Sequence, residues 1–248
     1  MRHAERAVQT IGEFVVALRD TAADGLVWYR GQERSEWPLI PALARHGDAL
    51  AAELLTIKRF KQNAAPYLPA RPASEWEWVF LMQHHRAPTR LLDWTESPLV
   101  ALFFALWGTA NDDADAAVWC LDPVALNRLA GHRRQHARDI LAFGIDAPLD
   151  DYLPDRVNER VSTLNPIAAI GPRNSARMVA QAGTFTVIHA EAMAIEEVGD
   201  NQDHIWKIVV PSAARPLLRA ELALLGVHEH SLFPDLDRVA ALAKEMIL

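Results

Sequence analysis

Residues 83–95 concentrate side chains that could bind an anionic ligand. The stretch reads QHHRAPTRLLDWT and is followed, at 98–107, by an almost wholly apolar run. Ser97 and Pro98 predict the N-cap and the first position of a buried helix. The N-terminus of such a helix presents free backbone N–H groups and a positive dipole end to an anion. The alternative is a core helix with ordinary caps and no ligand.

Two further stretches interrupt buried segments with polar residues. In the first, WYRGQ at 28–32, Arg30 could make paired contacts with a phosphate or carboxylate, and Gly31 would let a backbone or a ligand approach closely. In the second, ARMVAQAGTFTVI at 176–188, Arg177 and Gln181 precede a strand pattern. Each stretch alone is a weak signal, and together they suggest one site.

The hydrophobic periodicity predicts the elements that must position these residues. We expect an amphipathic helix over about 4–19, and Ser74 as the cap of a Trp-rich helix. Residues 144–174, rich in Asp, Pro and Asn, predict a loop. The remaining predicted strands are 26–31, 89–94, 117–123, 183–189 and 204–210, and the remaining predicted helices are 48–61, 99–107, 212–225 and 231–248. These elements predict one α+β domain over 1–248, with an N-terminal helix in 1–24, a core over 25–248, and a mixed, mainly antiparallel sheet flanked by helices.

Composition narrows the class of protein. A net charge of −7 argues against broad binding of nucleic acid, and the single cysteine excludes an internal disulfide. No apolar run approaches the length of a membrane span, so we expect a cytoplasmic protein without membrane contact. Standard nucleotide, hydrolase and metal motifs are absent, and we expect no metal. The arginines between 127 and 138 could form a phosphate-contacting face or a solvated helix.

The three stretches, in this order, resemble the FRG domain family, named for an aromatic-Arg-Gly signature. The signature here is Tyr29-Arg30-Gly31, and the stretch QHHRAPTRLLDWTESPLVALFFA, beginning at Gln83, resembles the family's most specific pattern. RMVAQAGTFT at 177–186 and SLFPDLD at 231–237 resemble its third and C-terminal blocks. The resemblance spans about residues 26–245.

A more distant resemblance is to ADP-ribosyltransferases of the Arg-Ser-Glu class, and it implies their fold and NAD as substrate. It also implies roles for individual residues. Arg30 and Arg90 would hold the pyrophosphate, Thr89 and Thr95 would shape the nicotinamide ribose pocket, and Tyr29, Gly31 and Gln32 would complete the binding segment. His84 and Gln181 would position ribose or acceptor, and Asp93 would stabilise positive charge at the anomeric carbon.

The sequence departs from that class at the third motif, where a catalytic Glu is expected. The segment before GTFTVI offers Arg177 and Gln181 and no carboxylate. A glutamine can hydrogen-bond a ribose hydroxyl but cannot supply negative charge. Asp93, Glu191 or Glu33 could supply it, and Asp93 is preferred because it lies in the most specific block.

Several functions therefore stay open at this point. The resemblance implies an NAD-dependent ADP-ribosyltransferase, as a bacterial toxin or phage-defence effector that modifies a nucleic acid or a protein and has a possible antitoxin partner. The alternatives are a non-catalytic module that binds a nucleotide or partner, an NAD glycohydrolase, and a nuclease. A purely structural alternative pairs Arg90 with Asp93 as a buried ion pair.

Overall fold

The structure is a computed structural model, and it describes residues 1–21, 25–45, 47, 49–133, 136, 138–157, 162–235, 240 and 244. Within these residues the chain forms a mixed, open sheet of eight strands with helices packed against it. The predicted α+β class is confirmed. None of the described helices combines the length and the apolar character that crossing a membrane requires.

The described elements follow the chain from a short N-terminal strand to a short helix near the C-terminus. The strands are β1 (Arg6–Ala7), β2 (Trp28–Gln32), β3 (Leu91–Thr95), β4 (Ala116–Leu121), β5 (Leu141–Ala142), β6 (Ile167–Ile170), β7 (Gly183–Val187) and β8 (Ile205–Val210). The helices are α1 (Ile11–Asp20), α2 (Ala49–Ala64), α3 (Glu75–His84), α4 (Pro98–Ala105), α5 (Pro123–Leu129), α6 (Ala176–Ala180), α7 (Arg215–Leu224) and α8 (Glu229–Leu232).

The strands lie in the order β1-β8-β4-β2-β3-β7-β6-β5. The outer pairs β1–β8 and β5–β6 are parallel, and the five inner pairs are antiparallel. The sheet is therefore mixed and mainly antiparallel, as the sequence predicted.

The sheet is interrupted at its centre, between β2 and β3. β2 pairs with β4 along its whole length, and β3 pairs with β7 along its whole length. β2 and β3 themselves share one pair, Tyr29 with Thr95. Beyond that pair the two strands separate, which leaves a cleft that we call the β2–β3 cleft.

The core follows this division. One face of the sheet carries a continuous cluster that includes Trp28, Trp94 and Trp119. The opposite face carries two clusters, one around α1, α4 and α7 and the other around α2 and α3. The β2–β3 cleft opens between these two clusters.

Local sequence explains the two helices that border the cleft. Ser74 caps α3 by accepting the Glu77 N–H at 3.2 Å, and Ser97 caps α4 by accepting the Val100 N–H at 3.4 Å. Pro98 occupies the first turn of α4, where its missing N–H costs nothing. Both caps were predicted and both are confirmed.

The N-terminal prediction was partly wrong. Residues 6–7 form strand β1, and the helix begins only at Ile11, capped by Thr10. The N–H of Val8 donates to the carbonyl of Val209 at 2.9 Å, and the Val8 side chain is fully buried. Pairing with the edge of the sheet therefore satisfies the backbone hydrogen bonds of a segment for which the sequence pattern predicts a helix.

Other boundaries also differ from the predictions. The predicted loop 144–174 contains strand β6. Its short apolar run IAAI lacks polar alternation because both faces are covered over residues 167–169. The helix predicted from 212 begins at Arg215 after a 3-10 turn, and the helix predicted through the arginines ends at Leu129. Most of the predicted helix 231–248 lies outside the described residues.

A buried ion pair ties α2 to the start of β3. Arg90 donates from Nε to Glu53 Oε2 at 2.9 Å and from Nη1 to the carbonyls of Ile188 and His189 at 3.2 and 3.3 Å. Both charged residues are 2 % exposed. Removing one partner of such a pair leaves an uncompensated buried charge.

We therefore predict that Glu53→Gln lowers the free energy of unfolding by about 3–5 kcal/mol, measured by urea denaturation. The matched control is Glu75→Gln, which breaks the Lys61–Glu75 pair on the exposed side of α2 and α3. That pair is partly hydrated, so its loss should cost less than about 1 kcal/mol. Equal losses in the two variants would contradict the assignment.

Candidate functional site

The β2–β3 cleft forms a cavity of about 330 Å³. This size lies near the lower end of the range of small-molecule sites. Its lining combines aromatic side chains with charged ones. The aromatic residues are Tyr29, Trp37, Phe80, Trp94, Phe104, Trp107 and Phe185, and the charged or titratable residues are Arg30, Glu33, Arg45, His84, Asp93 and Arg177.

Strand alternation places two of these groups. Leu91 packs among the side chains under α3, and Leu92 and Trp94 pack on the opposite face. Asp93 and Thr95 therefore point to the face on which the cavity opens. The same alternation puts Tyr29 and Gly31 of β2 on that face.

Gly31 is required by the close approach of α4. A Cβ atom at this position would lie 1.9 Å from the carbonyl oxygen of Ala101 and 2.4 Å from the backbone nitrogen of Ala105. Because both contacts are to helix backbone, no side-chain rearrangement could relieve them. The Gly of the aromatic-Arg-Gly signature thus fixes the distance between the sheet and α4.

Arg30 bridges the gap between the separated strands. Its Nη1 donates to the backbone carbonyl of Asp93 at 2.6 Å, where a paired strand would have supplied an N–H. Its Nε is buried and has no hydrogen-bond partner among the described residues. Burial lowers the pKa of Arg30 to about 10, with Asp93 opposing the shift and Arg45 adding to it. The guanidinium therefore remains protonated at neutral pH.

The Asp93 carboxylate is held by a relay of side chains. The amide nitrogen of Gln83 donates to Asp93 Oδ2 at 2.8 Å, and the hydroxyl of Thr89 donates to the Gln83 amide oxygen. The relay fixes both the orientation of the Gln83 amide and the rotamer of Asp93. Asp93 forms part of the cavity wall.

Thr95 and Gln181 join three elements at the other end of the cleft. The Thr95 hydroxyl donates to the Gln181 carbonyl at 2.6 Å and accepts the Ser97 N–H at 3.0 Å. The Gln181 side-chain nitrogen donates to the carbonyl of Leu232 at 3.1 Å. These bonds hold the start of α4 and the end of α6 against β3, and both residues line the cavity.

Eight of the ten predicted site residues lie around this one cavity: Tyr29, Arg30, Gly31, Gln32, His84, Asp93, Thr95 and Gln181. The amide of Gln32 is already engaged, because it accepts the Trp119 indole N–H at 2.8 Å and donates to the Pro38 carbonyl at 3.3 Å. Gln32 therefore supports the cavity wall through these two hydrogen bonds.

The other two predicted residues, Arg90 and Thr89, need correction. Arg90 does not line the cavity, because Glu53 and two backbone carbonyls occupy its guanidinium. Nor does it pair with Asp93, as the structural alternative proposed. Thr89 is 2 % exposed and reaches the site only through Gln83. Both residues position the site and do not contact the cavity.

Sequence reasoning missed Arg45, Trp37 and the aromatic wall of Trp107. Arg45 closes a short 3-10 helix in a proline-containing segment that lies outside the predicted strands and helices. Nothing local to Arg45 signals its approach to Arg30, since the two are brought together only by the fold. Gln83 and Arg177 lay in the highlighted stretches but were not among the predicted site residues.

No group of three or more His, Cys, Asp or Glu side chains that could hold a metal ion occurs in the part of the chain that the structure describes.

Residues 25–114 match the family model of the FRG domain. The FRG resemblance predicted from the sequence is confirmed over this segment, which contains β2, β3, α3 and α4 and thus most of the cavity wall. The resemblance of 177–186 and 231–237 to further blocks of the family lies outside the match and stays a prediction. Searches of curated proteins and of solved structures found no match.

The site makes a prediction about Gly31. Gly31→Ala should lower the free energy of unfolding by at least about 1–3 kcal/mol, because the added methyl group overlaps the backbone of α4. Gly183→Ala is the matched control, since a Cβ there would meet its nearest neighbour, the Met178 carbonyl, at 3.9 Å. Urea denaturation compares the two, and a tolerated Gly31→Ala would contradict the packing argument.

A second prediction concerns His84. Burial lowers its pKa below the ordinary value of 6.5, and His85 and Arg177 lower it further. An anion in the cavity favours the protonated ring, so binding is coupled to proton uptake. The affinity for sulfate, whose charge is constant in this range, should rise several-fold from about pH 7.5 to about pH 5.5. Calorimetry at both pH values measures the change.

His84→Gln should abolish this increase in sulfate affinity. The control His136→Gln, at an exposed position, should leave the increase unchanged. A rise of equal size in His84→Gln would assign the pH dependence to another group.

Proposed function

We propose that this FRG-domain protein binds NAD in the β2–β3 cleft and transfers its ADP-ribose to a macromolecule. The observation that carries the proposal is the arrangement of Arg30, Asp93 and a wall of aromatic rings around one cavity. The distant resemblance to ADP-ribosyltransferases supplies the reaction. The proposal includes their fold, a cytoplasmic location and a role as a toxin or phage-defence effector.

The charges of the cavity suit a pyrophosphate. Arg45 lies close enough to Arg30 for its positive charge to disfavour the charged form of Arg30. Two guanidinium groups attract a doubly charged group, and their forked donors match phosphate oxygens. Aromatic side chains such as Trp37, 37 % exposed at the cavity wall, offer flat surfaces for the nicotinamide or adenine ring.

Asp93 is the carboxylate that we assign to the reacting centre. The bond between the anomeric carbon and the nicotinamide nitrogen breaks, and its electron pair leaves with neutral nicotinamide. The ribose then carries positive charge, which a nearby carboxylate stabilises. The acceptor nucleophile forms the new bond to the anomeric carbon, and its proton passes to solvent.

Asp93 is preferred over Glu33 because of their contacts. Glu33 also lines the cavity, but its Oε2 accepts a hydrogen bond from Asn111 at 2.7 Å, which ties it to the loop before β4. Glu191 accepts from Thr163 at 3.0 Å and does not line the cavity. Asp93 sits at the centre of the cleft beside Arg30 and is oriented by Gln83.

A binding module without catalysis is the second candidate. The observation in its favour is the turn before β7, where Gln181 and Ala182 stand and no carboxylate precedes the strand. Such a module would use the same cavity and the same Arg30, but would release no nicotinamide.

The test is nicotinamide release from NAD by the purified protein, alone and with added protein or nucleic acid. Asp93→Asn should lower the rate about 100-fold or more, the usual effect of removing a group that stabilises transition-state charge. Arg30→Ala should lower kcat/KM about 10–100-fold, with Arg30→Lys in between, since lysine keeps the charge but loses the fork.

Two exposed positions provide controls: Asp200→Asn and Arg71→Ala should both retain full activity. Circular dichroism confirms that each variant is folded. Full activity in folded Asp93→Asn and Arg30→Ala would remove the site assignment. Release without any acceptor would make the protein a glycohydrolase, and NAD binding without release would establish the binding module.

A further inference from the structure

Arg86 occupies a backbone conformation that favours glycine. Its φ is +62°, directly after helix α3. The Arg86 N–H donates to the Gln83 carbonyl at 3.0 Å, and the Ala87 N–H donates to the Met82 carbonyl at 2.9 Å. This is the helix ending in which glycine normally stands in the left-handed position, because a Cβ atom there is strained. An arginine at this position indicates that its side chain has a role of its own.

The exposed Arg86 side chain stands within a cationic group. The His84 and His85 rings meet edge to face with centroids 5.1 Å apart. Arg86 is close enough to Arg177 to disfavour its charge, as is Arg177 to His84. We call His84, His85, Arg86 and Arg177 the cationic rim. Two acidic residues, Asp93 and Asp235, favour the charged form of Arg177.

The cationic rim borders the cavity. His84 and Arg177 line the cavity wall, and His85 and Arg86 continue from it along the exposed turn after α3. Within the described residues, the structure gives the Arg86 guanidinium no hydrogen bond and no ion pair. Arg177 instead lies over the Phe233 ring, 4.8 Å from its centroid. Arg86 and Arg177 supply the positive charge of the rim, in a chain whose net charge is −7.

We propose that the cationic rim binds the phosphate backbone of a single-stranded nucleic acid. Forked guanidinium donors match phosphate oxygens, and an exposed pair of histidine rings and the Arg177 plane can stack against unpaired bases. The nucleic-acid strand would lie across the cavity mouth, with one nucleotide turned inward toward Asp93. The inference rests on the proposed function only in making this strand the acceptor of ADP-ribose, because the binding itself requires no NAD.

The shape of the site favours a single strand over a duplex. The cavity lies in a cleft between two strands, under α4, so an acceptor atom must reach inward past the rim. An unpaired nucleotide can turn out of its strand into such a pocket, whereas a paired one must first be unstacked at a cost. The acidic surface of the remaining chain would repel a long duplex, so local contacts must supply the affinity.

The experiment measures binding of a fluorescent single-stranded RNA of about 12 nucleotides by anisotropy, over a series of salt concentrations and without NAD. The central variant is Arg86→Gly, which removes the side chain and supplies the residue that the backbone prefers. It should weaken binding about tenfold at low salt and reduce the slope of log K against log salt by about 0.7, the value for one lost phosphate contact. Its melting temperature should be unchanged or higher.

Arg71→Ala is the matched control, an exposed arginine that precedes α3, and should bind like the unaltered protein. Undiminished binding by Arg86→Gly would overturn the proposal. So would equal affinity for a duplex of the same length, or for a poly-glutamate peptide of equal charge, which would make the rim a general anion site. Strand binding without nicotinamide release would leave this inference standing and remove the proposed function. Release without strand binding would do the reverse.

Discussion

The separation of β2 from β3 is the constraint on which the site depends. A sheet that paired fully at this point would leave no cavity, and a sheet that parted fully would lose its continuity. One backbone pair, Tyr29 with Thr95, holds the two halves together, and the Arg30 guanidinium reaches the Asp93 carbonyl where the strands have parted. A side-chain donor thereby replaces a backbone donor, so the residue that closes the sheet also places a positive charge in the cavity.

The polar residues of the central stretch divide into two layers. Arg90 and Thr89 face the interior, where one neutralises Glu53 and the other orients Gln83. Asp93 and His84 face the cavity. The inner layer fixes β3 relative to α2 and β7. The residues of the outer layer are thereby held in place, because they stand on the same elements. A ligand site needs such a supporting layer, because a loosely held carboxylate or guanidinium loses the geometry that makes it useful.

Most elements of the fold could be predicted because their signals are local. The caps at Ser74 and Ser97, the glycine that begins β7 and the alternation of β8 each depend on neighbouring residues. The errors arose where a distant segment decided the outcome. Residues 6–7 are a strand because β8 offers an edge, and Arg90 is structural because Glu53 lies 37 positions earlier and reaches it through the fold. A sequence pattern can indicate that an arginine is special, but not which partner it meets.

Charge around Asp93 limits what the cavity can do. Arg30 donates a hydrogen bond to the backbone carbonyl of Asp93. The negative charge of Asp93 in turn favours the charged forms of Arg30 and Arg177. The positive charge of these guanidinium groups offsets part of the negative charge of the Asp93 carboxylate. The carboxylate remains able to stabilise a cation that develops beside it, provided that an anionic ligand engages the flanking guanidinium groups. Binding of the ligand's phosphates would therefore free the negative charge of Asp93 for the reacting centre, and the cavity would acquire its full electrostatic effect only when occupied.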